Sequence, residues 1–192
     1  MKHLLGRIIF ILSIIGFLYS CVYHRITHMT DEELEWATNR HEGEFMYFRS
    51  QDGVIDTVII WEININNSLN LINWGYFNTG NKEYIATADV RYIIKHHNEG
   101  GIFHIEKKHN GKPIYFSSVL VKGWQYDVPL KITNQRIDGI MYNDVMFFYN
   151  RDLESIDKDD PNSIISYSWS KKYGLVQYTF QNGIRFTRFD IF

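Results

Sequence analysis

Cysteine is almost absent, with one residue, Cys21, in a chain of 192. A lone thiol excludes an intramolecular disulfide framework and any zinc site built on cysteines. Proline (3) and glycine (13) are sparse as well, which excludes a collagenous or low-complexity chain. Basic excess is lacking: 20 Lys and Arg stand against 22 Asp and Glu, a net charge of −2. Without a basic face there is no electrostatic case for binding nucleic acid. The glycine loop that cradles phosphate and the Gly-x-Ser-x-Gly turn of nucleophilic hydrolases are missing too. No apolar run reaches the roughly 20 residues that a membrane-spanning helix takes. Aromatic residues are what the chain has in quantity, 13 Phe, 13 Tyr and 5 Trp. They suit the core of a β-rich domain.

The longest apolar run, Ile8 to Leu18, follows the basic residues Lys2 and Arg7. A short apolar segment behind a positive start has the form of a secretory leader. It closes on Leu18-Tyr19-Ser20-Cys21, which resembles the lipobox of bacterial lipoproteins, with a branched apolar residue three before the cysteine and a small one directly before it. That resemblance implies a signal peptide over residues 1–20, cleaved to leave Cys21 with thioether-linked diacylglycerol and an amide-linked acyl chain such as palmitate. Several chains are what stable membrane anchoring requires. Residues 21–29 then read as a lipidated tether, and residues 30–192 as a single β-rich domain. Val22, not an aspartate, follows the cysteine, and no acidic cluster comes after it. The expected location is therefore the cell outer membrane, facing the periplasm. Losing Lys2 and Arg7 from 20 basic residues leaves 18 against 22 acidic, a net charge of −4. A domain of that sign has no overall reason to lie flat on an anionic surface.

Along the mature chain, Thr30-Asp31-Glu32-Glu33 reads as a capping box opening one short helix, with Leu34, Trp36 and Ala37 on its apolar side and an end near Arg40. Everything after it reads as strand and turn. Phe45 to Phe48 and Val54 to Ile65 form a hairpin about Gln51-Asp52-Gly53. Alternation in the second strand puts Ile55, Thr57, Ile59, Trp61, Ile63 and Ile65 on the inner face and Asp56, Glu62 and Asn64 outside. Tyr84 to His96 reads as a strand with Tyr84, Ala86, Ala88, Val90, Tyr92 and Ile94 inside. Phe103 to Lys108 and Ile114 to Val121 pair about Asn110-Gly111. Met141 to Tyr149 is a further strand, and Ile164 to Ser170, Leu175 to Gln181 and Ile184 to Ile191 form a meander through Asn182-Gly183. The expected fold is mainly β, an antiparallel sheet or sandwich of hairpins and meanders with one short N-terminal helix. The segments Ser50 to Ile60 and Tyr167 to Tyr178 look like stretches of small lipoproteins of gut-type Gram-negative bacteria. The resemblance implies an anchor and a β-rich fold and carries no activity with it.

Candidate chemistry is thin. His24 and His28 are four apart, as metal ligands on a helix often are, but no third ligand accompanies them. His96 with His97, and His104 with His109, point to opposite faces of a strand. The acidic stretch Asp152 to Asp160 has Pro161 where a calcium loop needs oxygen, and lacks the loop's glycine and closing glutamate. No cofactor or metal is expected and no catalytic set is found, so the chain is not expected to be an enzyme. The sequon Asn66-Asn67-Ser68 reads as accidental behind a bacterial leader. Asp56-Thr57-Val58 resembles the acceptor for O-glycosylation in some Gram-negative bacteria, although an inner-face Thr57 would be inaccessible. Trp74 and Trp124 lie beside Gly75 and Gly123 and are the candidate ligand-binding aromatics, whereas Trp61 and Trp169 read as core. Two functions follow as expectations. The first is a membrane-anchored, non-enzymatic envelope lipoprotein with a structural role or a protein partner. The second is a lipoprotein that binds a glycan or small ligand through loop aromatics.

Overall fold

The computed structural model describes residues 6–14, 25–67, 83–96, 99–120, 123–129, 132–149 and 160–191. Residues 6–14 form a helix, α1, and its apolar side chains, among them Ile8, Phe10 and Leu12, are exposed. The second helix, α2, runs over Asp31–Thr38. Its start follows from a reciprocal cap: the Glu33 amide donates to the Thr30 hydroxyl (3.2 Å) and the Thr30 amide donates to the Glu33 carboxylate (2.9 Å). Asp31, Glu32 and Glu33 complement the positive end of the helix dipole. The buried side of α2 is Trp36 and Ala37.

Thirteen strands are described: β1 (Arg25–Ile26), β2 (Phe45–Ser50), β3 (Ile55–Asn66), β4 (Glu83–Tyr84), β5 (Ala86–Ile94), β6 (Glu99–Lys107), β7 (Tyr115–Leu120), β8 (Gly123–Pro129), β9 (Ile132–Ile137), β10 (Ile140–Tyr149), β11 (Ile164–Ser170), β12 (Gly174–Phe180) and β13 (Arg185–Arg188). β1 and β4 form a small parallel pair. The other eleven make one antiparallel ladder in the order β8-β7-β6-β5-β3-β2-β13-β12-β11-β10-β9. Its two end strands are consecutive in the chain, with β8 ending at Pro129 and β9 starting at Ile132. Counted along the ladder they run in the same direction. β8 therefore pairs with β7 at one end of the ladder and β9 with β10 at the other, so the two ends belong to neighbouring parts of the chain and the sheet curls on itself as a barrel.

Core contacts reach across the ladder. Phe103 on β6 stacks on Trp169 of β11 at 4.2 Å, and Phe103 meets Phe148 of β10 at 6.4 Å, although β6 and β10 lie far apart in the ladder. Inward alternation supplies the lining: Ala86, Ala88, Val90, Tyr92 and Ile94 on β5 are all fully buried. α2 lies across one mouth and inserts Trp36, whose ring packs edge-on to Phe116 at 5.0 Å and whose carbonyl accepts from Trp169 Nε1 at 3.3 Å. The turns at 108–113, 138–139 and 171–173 belong to this mouth. Those at 51–53 and 181–183 belong to the other, where Gln51 bridges Gly183 and Arg185. Among the described residues the interior is mostly apolar, with Asp56 as one of its few buried charged side chains.

Three expectations are corrected. First, the chain before Thr30 belongs to the domain from Arg25 onward and is not a solvated tether there. Thr27 and Met29 are buried, and the Asn67 side chain both donates to the Met29 carbonyl (3.0 Å) and accepts from its amide (2.8 Å). Second, the phase of β3 is opposite to the one expected. Asp56, Val58 and Ile60 face inward, while Ile55 and Trp61 are exposed and Thr57 and Ile59 half-buried. β3 carries apolar residues at both parities, so alternation alone does not fix which face is inner. Its bonded partners do: the Asp56 carboxylate accepts from Tyr178 Oη (2.7 Å), the His96 amide (3.0 Å) and the Thr57 amide (2.6 Å). Third, Trp61 is a bulge and not core. The β3–β5 register slips between Ile60 and Glu62, and beyond the slip Ile63 turns inward against the core.

Candidate functional site on the outer face of β2, β3 and β5

Because β2 and β3 each send every second residue outward, their pairing builds rows of side chains on the solvent face. One row runs Phe45, Ile59, Ile93 across β2, β3 and β5, and the next sets Tyr47 beside Thr57. Exposure along this face is high for such apolar groups: Phe45 49%, Tyr47 43%, Ile55 49%, Trp61 49% and Ile93 37%. Singly such residues are ordinary, but a contiguous set marks a contact surface.

Cations sit over the rings. Lys95 Nζ lies 5.6 Å from the Phe45 centroid, the Arg91 guanidinium 5.7 Å from Trp61 and the Arg49 guanidinium 4.5 Å from Phe189. Arg91 also pairs with Glu62 at 3.0 Å. The Lys95 and Arg49 stems lie along apolar rings while their charged ends stay exposed. The result is an aromatic face edged with positive charge.

Beside it, on β5 and β6, His104 stands between two carboxylates. Its Nδ1 lies 2.5 Å from Asp89 Oδ1 and its Nε2 3.7 Å from Glu106 Oε2. Burial pulls the imidazole pKa down, but the hydrogen bond and charge of Asp89, with help from Glu106, outweigh it and leave the pKa raised. Ser117 is opposite His104 in the ladder, which sets Asp, His and Ser in one row. Both ring nitrogens face carboxylates, so neither is placed to take a proton from a hydroxyl. That geometry favours a charged, structural histidine over a general base.

Two buried polar clusters lie elsewhere among the described residues. Tyr178 and Asp56 share the contact described above, and burial followed by the nearby carboxylate raises the phenol's pKa strongly. At the α2 mouth, Arg40 and Arg188 converge on Glu44 and on the Tyr173 carbonyl, which accepts from Arg40 at 3.0 Å and Arg188 at 2.5 Å. Asp190 pairs with Arg188 at 2.7 Å. Two cations and two carboxylates balance, leaving a lock between the segment that follows α2, the β11–β12 turn and β13.

Sequence-derived candidates fare unevenly. Cys21 and Trp74 lie outside the described residues, as do His24 and Asp152 to Asp159. Trp124 is on β8, opposite Val119, with its side chain outside the described set. Thr57 sits half-buried on the outer face, not the inner one, and its carbonyl accepts from the Lys95 amide at 2.9 Å. Among the described residues no three His, Cys, Asp or Glu side chains are grouped to hold a metal ion. The aromatic face was missed because Phe45 and Tyr47 read as ordinary strand residues and Trp61 as core.

Set against family models, curated proteins and solved structures, the chain matches none.

Proposed function

We propose that the chain is a lipid-anchored envelope lipoprotein, non-enzymatic, that docks a protein partner on the outer face of β2, β3 and β5. The single observation carrying the docking reading is the exposed row Phe45, Ile59, Ile93 with Tyr47 and Trp61 alongside. An exposed row of apolar side chains on a sheet face fits another protein better than a small molecule, which prefers a concavity. The anchor reading is carried by Leu18-Tyr19-Ser20-Cys21. The exposure of α1 supports it, since a segment outside the core is one the domain can lose. The outer membrane facing the periplasm is the location proposed.

The test is site-specific photocrosslinking in cells, with the photoreactive residue at Phe45 or Ile59 and, as control, at the outward Thr179 of β12. A discrete adduct from the first two positions alone supports docking. Equal labelling at all three removes it. Cys21→Ser separates the anchor, since the protein should then stay unacylated and leave the outer-membrane fraction.

A second reading takes its support from Trp61. An exposed indole beside a guanidinium is a stacking platform for a glycan. Saturable binding of an oligosaccharide, abolished in Trp61→Ala, would favour it.

A further inference from the structure

We propose that the tip of the β6–β7 hairpin, Lys108 to Lys112, is the surface that meets the membrane, with anionic phospholipid headgroups as its ligand. This rests on the lipid-anchor reading of Cys21.

Chain length sets the position. Three residues, and so four Cα–Cα steps, separate Cys21 from Arg25, where β1 joins β4. Even fully extended they span at most about 14 Å. The polar layer on each side of a bilayer is itself roughly 5–7 Å thick. An acylated Cys21 therefore holds the domain close against the headgroups. After β1 the chain is fastened to the hairpin tip: Thr27 Oγ1 donates to the Lys108 carbonyl (3.2 Å), and the His28 amide donates to Asn110 Oδ1 (3.1 Å). Asn67 then clamps Met29 on both sides. The anchor enters beside this tip, and the fastened strap leaves little slack for the barrel to turn it away.

Chemistry suits the position. Between Lys107 and Pro113 the chain holds three lysines and a histidine and no carboxylate. Lys107 is engaged by Glu33, at 2.6 and 2.7 Å, which removes both charges from the account. His109 and Lys112 are exposed, and Lys108 lies over the Tyr115 ring at 5.2 Å. Asp31 and Glu32, exposed on the first turn of α2, are the carboxylates nearest in sequence to the strap. The acidity of the whole domain is an average; lipid reads the charge within a Debye length of its surface.

The test uses the acylated protein in vesicles, where modification of Cys21 leaves no other native thiol. A fluorophore is placed at Pro113→Cys or, at the opposite mouth, at Asn182→Cys, and a quencher is carried on a lipid headgroup. Vesicles contain phosphatidylglycerol or phosphatidylcholine alone. The expected result is quenching several-fold stronger at 113 than at 182, larger with phosphatidylglycerol, and reduced when Lys108→Glu and Lys112→Glu are combined. Equal quenching at the two positions, or no response to lipid charge or to the reversals, overturns the inference while leaving an acylated Cys21 intact. An unmodified Cys21 by mass overturns the anchor reading, and this orientation with it.

Discussion

Phe103 lies flat on Trp169, with ring centroids 4.2 Å apart and planes 4° from parallel. Their strands are β6 and β11, and β5, β3, β2, β13 and β12 come between them in the ladder. The contact is thus a weld across the barrel interior. Trp169→Ala should cost about 3–5 kcal/mol, the usual range for removing a buried large aromatic. Urea unfolding monitored by circular dichroism measures it, and Trp169→Phe should recover a good part of the loss.

Gly101 is opposite Tyr92, and a Cβ built on it would stand 2.5 Å from the tyrosine ring. Gly101→Ala should destabilise by about 1–3 kcal/mol, as overpacking does. At Gly100 the nearest atom would be the Tyr92 carbonyl at 3.3 Å, so Gly100→Ala should cost less. Thermal unfolding of the pair gives the comparison.

Much of the fold was legible because local rules agreed. The α2 cap was readable from four consecutive residues, and β5 from strict alternation with small or β-branched side chains. β3 failed for a physical reason: Val58 and Ile60 at one parity compete with Ile55, Ile59 and Ile63 at the other, and the choice is made by Asp56 meeting Tyr178, 122 positions away. Ladder order, closure through 123–137 and the strands β8 and β9 depend on pairing partners that periodicity does not name. The exposed face was hidden by the same error, since an inverted β3 turns Trp61 and Ile55 into core.

Tyr178→Phe should cost about 1–3 kcal/mol, because the buried Asp56 oxygen loses its hydroxyl donor. Asp56→Asn with and without Tyr178→Phe forms a double-mutant cycle. A coupling energy well above zero is expected from urea midpoints, and additivity would mean the contact contributes nothing.

His104 makes stability depend on pH in a definite sense. Its folded pKa is raised above the ordinary 6.5, so the folded state holds the proton more tightly. The contribution is complete below that ordinary value and is lost as pH rises through the folded pKa. Urea midpoints measured from pH 6 upward should fall over that window, and His104→Gln should flatten this part of the profile. Asp89→Asn should lower the His104 pKa in an NMR titration.

A fragment beginning at Thr30 lacks Met29, which is fully buried, and the two bonds it makes with Asn67. Such a fragment should melt well below one beginning at Arg25. Met29→Ala in the longer chain should account for about 2–5 kcal/mol. Differential scanning calorimetry of the three proteins decides it.

The join between β2 and β13 ties residues 45–50 to residues 185–188. A chain made from its amino end first therefore holds the sequence of β2 and β3 well before that of β13 exists. Through that interval the free edge of β2 offers unpaired backbone groups to whatever strand is nearby. That edge is covered only once Arg185 to Arg188 have paired with it.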